Sequence, residues 1–115
     1  MKIVQLEDFK QFSAEKMKKN NLFQTARFFC DVYGFEPGQA QKGHVHGDQD
    51  KVYIVLDGQG TFHVGKEEQV LGAGQGVLAP AGEEHGVRNH TQQRLTVLVF
   101  VAPNPPQAGA EVHSR

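Results

Sequence analysis

Between Leu22 and Ala102 the chain cannot run far in one direction, because turn-forming residues cut its apolar stretches again and again. The segments "GHVH", "KVYIVL", "TFHV", "EEQVL", "GVLAP", "GVRN" and "RLTVLVFV" follow one another. Between them lie "GDQD", "DGQG", "GK", "GAGQG", "AGEE" and "HTQQ", most carrying a glycine or an Asx turn-former. Upstream, "ARFFCDVY" has the alternating apolar set Ala26, Phe28, Cys30 and Val32 that a half-buried strand requires, and "EPGQ" ends it. Short strands with close turns describe an all-β chain, a small antiparallel barrel or sandwich. The one stretch with helical spacing is 6–19. There Leu6, Phe9 and Phe12 are three apart, and Ser13 is placed to cap a second short turn through Lys19.

A chain of 115 residues suits one domain. The expected organisation is an N-terminal strand or helical segment over 1–21, a barrel over 22–102, and a proline-rich flexible tail over 103–115. The formal net charge of -1 argues against a nucleic-acid binder, which needs a basic excess to neutralise phosphates. The one local basic run, "EKMKKN" at 15–20, reads as a solvated face. No apolar run has the length of a membrane span, and "MKIVQLEDFK" lacks a signal-peptide core. The single cysteine, Cys30, cannot form an intrachain disulfide, so a reducing cytoplasm is the expected compartment. Apolar neighbours two residues away on either side make Cys30 a small buried hydrophobe rather than a catalytic thiol.

Two strands exceed what a barrel wall in water needs. "VYIVL" and "VLVFV" are apolar on both alternating faces. Each aliphatic side chain left uncovered forgoes roughly 1.5–3 kcal/mol of burial, so the outer face is expected to be covered. A second copy of the chain, in a symmetric homodimer, is the expected cover; the N-terminal helical segment acting alone is the other.

His44 and His46 stand two apart in a strand-like stretch, so their imidazoles are expected on one side, with Val45 facing away. Neutral imidazole suits Zn, Fe, Mn, Ni and Cu alike, and a His-x-His pair is half a site for any of them. The second half is "GQGVLAPAGEEHGVRN", residues 74–89, which sets Gly74, Pro80, Gly82, His85 and Asn89 at intervals of five, one, two and three residues. Together the two stretches resemble the paired motifs of the cupin superfamily, in its small single-domain form. The first of those motifs is Gly, five residues, His-x-His, three or four residues, Glu, six residues and Gly. Here Gly38, His44, His46 and the closing Gly58 match it, and the second motif is matched at every defining position. The resemblance covers residues 37 to 102.

The resemblance implies a six- to eight-stranded antiparallel jelly-roll barrel. It also implies one divalent transition metal in the mouth, held by His44, His46 and His85. The departure is at the glutamate, because the longer spacing, counted back from Gly58, lands on Lys51. A protonated lysine has no lone pair for a metal and is repelled by one. Three arrangements stay open: Asp50 as the carboxylate through a bulge, the Gln49 amide oxygen, or three histidines plus water. Ligand chemistry favours Asp50. Asn89 either supplies a hydrogen bond behind the ligands or closes the strand. Lys51, Tyr53 and His63 are the expected pocket residues, although His63 in "TFHV" could equally face solvent. Glu83 and Glu84 are candidate general bases or plain loop carboxylates, and His90 and His113 are expected at the surface.

Two function classes follow. One is a metal-dependent enzyme, a dioxygenase, isomerase or lyase, acting on a small oxygenated molecule. The other is a barrel that binds a small ligand and does no chemistry. The architecture hosts many activities and does not choose between them.

Overall fold

The computed structural model describes residues 1–45 and 47–104, except for the side chain of His44. Among them nine strands form two sheets, β1 (Lys18–Gln24), β2 (Phe29–Phe35), β3 (Ala40–His44), β4 (Asp50–Asp57), β5 (Gln59–Val64), β6 (Glu67–Gly72), β7 (Gly76–Ala79), β8 (His85–Arg88) and β9 (Leu95–Ala102). The five-stranded sheet runs β1-β2-β9-β4-β7 and the four-stranded sheet β3-β8-β5-β6. All pairings are antiparallel and the sheets do not close. The strand-and-turn reading of 40–102 therefore matches the fold, a β-sandwich of the jelly-roll kind.

The core lies between the sheets. Tyr53 and Val55 on β4, Leu95, Val97, Val99 and Val101 on β9, and Phe29, Tyr33 and Phe35 on β2 meet Phe62 and Val87 of the other sheet. On β2 this reverses the expected face. The inward row is Phe29, Asp31, Tyr33 and Phe35, and the set Phe28, Cys30 and Val32 points outward. Alternation identified the strand correctly but not its side, because both faces of β2 are covered or partly covered and the interior one carries polar groups.

The helical expectation for 6–19 is corrected. Only Leu6–Phe9 forms a turn, of the 3-10 type with no buried residue, and Lys18–Gln24 is strand β1 paired with β2. Pairing along β2 outweighs the weak local spacing of Leu6, Phe9 and Phe12. The segment instead lies across the outer face. A Cβ on Gly34 would collide with the Gln11 carbonyl oxygen, so that close approach requires glycine. Lys10 Nζ lies 2.9 Å from Asp57 Oδ2, Gln39 Nε2 donates to Ser13 O at 2.8 Å, and the Arg94 guanidinium sits 4.4 Å from the Phe12 ring. The closing Gly58 of the first motif has φ +83°, and a side chain there would strike the Arg94 carbonyl. That glycine is a backbone requirement of the β4–β5 turn.

This N-terminal cover is partial. Cys30, Phe100, Val52 and Leu78 form one register row across β2, β9, β4 and β7, and Leu98 and Ile54 are register partners beside it. Leu78 is 55%, Phe100 41% and Ile54 37% exposed. Phe28 stacks on Phe100 at 5.2 Å within this patch.

Candidate metal centre and barrel interior

The site begins with an irregularity. β3 and β8 pair Ala40 with Arg88 and Gln41 with Val87, and the next described pair is His44 with His85. A regular ladder would have brought Gly43 opposite His85. One extra residue on β3, a β-bulge, carries His44 into that register instead. Directly opposite residues are the closest cross-strand neighbours, so the bulge sets the first and second motifs against each other. Glycines make it possible. A Cβ on Gly86 would lie 2.6 Å from His63 Cε1 and 2.8 Å from Gln41 O, and one on Gly43 would lie 2.8 Å from His63 Nε2.

His85 is buried, at 1% exposure. Its Nδ1 is 3.0 Å from the Glu83 carbonyl oxygen. A carbonyl can only accept, so Nδ1 carries the proton and Nε2 of the neutral ring keeps its lone pair, the tautomer a metal ligand needs. The turn that delivers His85 is held from both sides. Glu83 N donates to Pro80 O at 3.2 Å, Gly65 N donates to Glu84 O at 2.7 Å, and Gly82 has φ +86°. The Tyr53 ring meets the His85 ring edge-on at 6.2 Å. His46 and the side chain of His44 lie outside the described residues. Among those described, no three His, Cys, Asp or Glu side chains are grouped to hold a metal.

The contacts of the two candidate fourth ligands run elsewhere. Asp50 is exposed, and its Oδ1 accepts from Ala81 N at 3.0 Å, which ties β4 to the Pro80–Gly82 turn. Gln49 is buried and its Nε2 donates to Pro103 O at 2.9 Å. Asn89 closes the chain after β8. Its Nδ2 donates to Gln93 O and Phe35 O, and its Oδ1 accepts from Thr91 N and Oγ1. His63 is not an interior residue beside Lys51 and Tyr53. It lies on the opposite face of β5 from Phe62, over Gly43 and Gly86, in a separate depression of about 190 Å³. The strand period of two dictates this side. His90 is exposed and its Nδ1 lies 2.7 Å from Thr61 Oγ1, while His113 lies outside the described residues.

Lys51 and Tyr53 do face inward. Lys51 is 1% exposed, with Nζ 3.2 Å from Gln41 Oε1 and 3.4 Å from the Tyr33 hydroxyl. The Tyr53 hydroxyl donates to the same Gln41 oxygen at 3.0 Å. The amine sits 5.2 Å and 5.1 Å from the Tyr33 and Tyr53 ring centroids, within cation–π reach of both. Burial lowers the Lys51 pKa to about 7; repulsion from Lys19 adds to this and attraction to Asp31 opposes it. Burial, then the neighbouring Tyr33 phenol, pushes Tyr53 well above its usual value. Gln41, Tyr33 and Asp31 are interior polar residues that the sequence reading missed. The polar pair Asp31 and Tyr33, two apart in "CDVYGF", was the available signal. A cleft of about 360 Å³ opens between the edge strands β6 and β7 over Phe62, Val64, Leu71 and Val77, with Glu67 and Glu83 on its rim. Val64 is the register partner of His85, and Phe62 packs on Tyr53 at 5.3 Å.

Comparison with known proteins agrees with this fold. The profile of the Cupin_2 cupin-domain family matches residues 31–101. The oxalate-binding protein of Thermotoga maritima is 26% identical over 88 residues, which are 76% of this chain and 72% of that one. The crystal structure of TT1209 from Thermus thermophilus superposes with a TM-score of 0.89 at 45% identity, covering 91% of this chain and 100% of that one. A double-stranded β-helix protein from Klebsiella pneumoniae superposes at 0.83 with 24% identity, over 91% and 92% of the two chains, and shares the fold.

Proposed function

Because this chain belongs to the Cupin_2 cupin-domain family, we propose that His44, His46 and His85 hold one divalent transition metal, and that the protein is a metal-dependent enzyme acting on a small oxygenated molecule. The observation that carries this reading is the β3 bulge that brings His44 into register with His85, whose Nδ1 is already held by the Glu83 carbonyl. Three neutral imidazoles fit Fe, Mn, Zn, Ni or Cu. Asp50 is left out of the set because it is exposed and its Oδ1 accepts from Ala81 N; the Gln49 amide oxygen stays open as a neutral fourth ligand, since the bond to Pro103 O uses Nε2. When bound, the ion supplies a Lewis acid or an oxygen-activating centre at an open position. The chain's own residues then do the remaining work. The Glu83 carbonyl orients His85, and Tyr53 and Phe62 wall the interior against water.

The second reading, a barrel that binds a small ligand without chemistry, is favoured by the oxalate-binding relative. One experiment tests both. Oxalate and a panel of small hydroxy and oxo acids are titrated into protein as purified, after chelation, and after reloading with Mn(II) or Zn(II). Binding or turnover should vanish on chelation and return on reloading. NMR of the recovered solution separates product (the enzyme) from unchanged ligand (the binder). Binding that is indifferent to chelation contradicts the metal reading.

A homodimer completes the proposal, with the Phe100–Leu78 face covered by its counterpart in a second copy. Sedimentation velocity at micromolar concentration should give a dimer, and Leu78→Lys a monomer; a monomeric wild type contradicts it. Among the described residues no helix is long and apolar enough to cross a membrane. The lone half-buried cysteine suits a reducing cytoplasm.

A further inference from the structure

Lys51 stands where the first cupin motif carries a metal-binding glutamate, and nothing in the metal reading uses it. Its amine lies inside the sandwich between the Tyr33 and Tyr53 rings. Its hydrogen-bond partners among the described residues are neutral, Gln41 Oε1 at 3.2 Å and the Tyr33 hydroxyl at 3.4 Å. Both are longer than the roughly 2.7–2.9 Å of a charge-assisted bond, so the amine is held loosely. Among the described residues no carboxylate stands within ion-pair distance of it. The charged groups that act on it from the same sheet, Lys19 on β1 and Asp31 on β2, oppose each other.

Charge then selects the ligand. Three imidazoles leave a divalent ion with its full double charge, where a glutamate would have halved it. An ammonium in the glutamate's place adds to that excess instead of reducing it. Asp31, buried on β2, offsets part of this charge; the excess that remains in a low-dielectric interior is costly, and the molecule that enters can supply the negative charge that balances it. Tyr53 links the amine to the imidazole. Tyr53 touches the His85 ring, and its hydroxyl shares the Gln41 oxygen with Lys51.

We infer that Lys51 is the anion-selecting residue of this site, taking one carboxylate of a small organic acid on its ammonium while the rest of the acid lies toward His85. The inference rests on the metal reading above. It goes beyond that reading in naming the ligand class and the residue that recognises it.

The test is calorimetric binding of oxalate, malonate and pyruvate, with the uncharged oxamide as control, to metal-loaded wild type and Lys51→Met, the metal content of each measured in parallel. The expected result is binding of at least one acid and none of oxamide, weakened more than tenfold in Lys51→Met with metal retained. Equal affinity in Lys51→Met with metal retained overturns the inference and leaves the metal reading standing. So does a wild type that holds metal but binds none of the three acids. A wild type without metal overturns the metal reading alone. The inference is then judged on the metal-free protein, where loss of acid binding in Lys51→Met keeps it and unchanged or absent binding overturns it. Should Lys51→Met fail to fold, wild type carrying 15Nζ-labelled lysine serves. The Lys51 resonance must move on adding the acid, and a resonance that stays put while the acid binds overturns the inference.

Discussion

Lys51→Met is expected to stabilise the protein at pH 6 and to give up most of that gain by pH 10. The Lys51 pKa is about 7 in the folded chain against an ordinary 10.5, chiefly because burial disfavours the ammonium. Between these values the unfolded chain binds more protons than the folded one, so this group makes stability rise with pH from about 7 to about 10.5. Below pH 7 the whole penalty is present, and a gap of this size corresponds to about 5 kcal/mol. Methionine has a similar volume and no charge, so it removes the penalty. Against that gain, the Tyr33 hydroxyl loses one hydrogen bond, a cost of about 0.5–1.5 kcal/mol that does not depend on pH, and keeps the one from Gln41 Nε2. Gln41 Oε1 keeps its bond from Tyr53. Urea midpoints of wild type and variant at pH 6 and pH 10 check this, because every other titrating group cancels in the double difference. A variant equally destabilised at both pH values would mean that Lys51 is not carried into the interior as a costly charge.

The second large effect is on the metal. His85→Ala removes the proposed ligand whose lone pair the Glu83 carbonyl has already oriented. The affinity should fall by more than about 100-fold, beyond the range seen for residues that merely support ligands. The sheets should persist, since the core around Tyr53, Val97 and Val99 does not depend on that ring. Far-UV circular dichroism and a metal titration read the two results separately. Unfolding together with metal loss would make His85 a structural residue.

How much of this was legible in the sequence depends on what each feature relied on. Strands from Ala40 to Ala102 could be read because each is bounded by a local signal, such as the positive-φ glycines at 58, 65, 74 and 82. The N-terminal segment has no such signal. Leu6, Phe9 and Phe12 are three apart, but the segment is fixed by long-range contacts from Asp57, Gln39 and Arg94 that no local window contains. The side of β2 was misjudged for the same reason. Asp31 and Tyr33 look like a solvent face until β4 brings Lys51, and β3 brings Gln41, to the same interior. The histidine spacing pointed to the proposed metal centre, yet the bulge that aligns His44 with His85 has no signature in "GQAQKGH" beyond its glycines. Lys51 was visible as a departure from a motif. That it is buried between two tyrosines was not.

The most direct test of the account is elemental analysis of protein purified without an affinity tag, expressed as metal per chain, for wild type and His85→Ala. The account predicts a ratio near one in wild type and near zero in the variant, with iron, manganese, zinc, nickel or copper as the metal. A wild-type ratio near zero that stays there after metals are added back would contradict it, and the barrel would then be a ligand-binding module organised around Lys51.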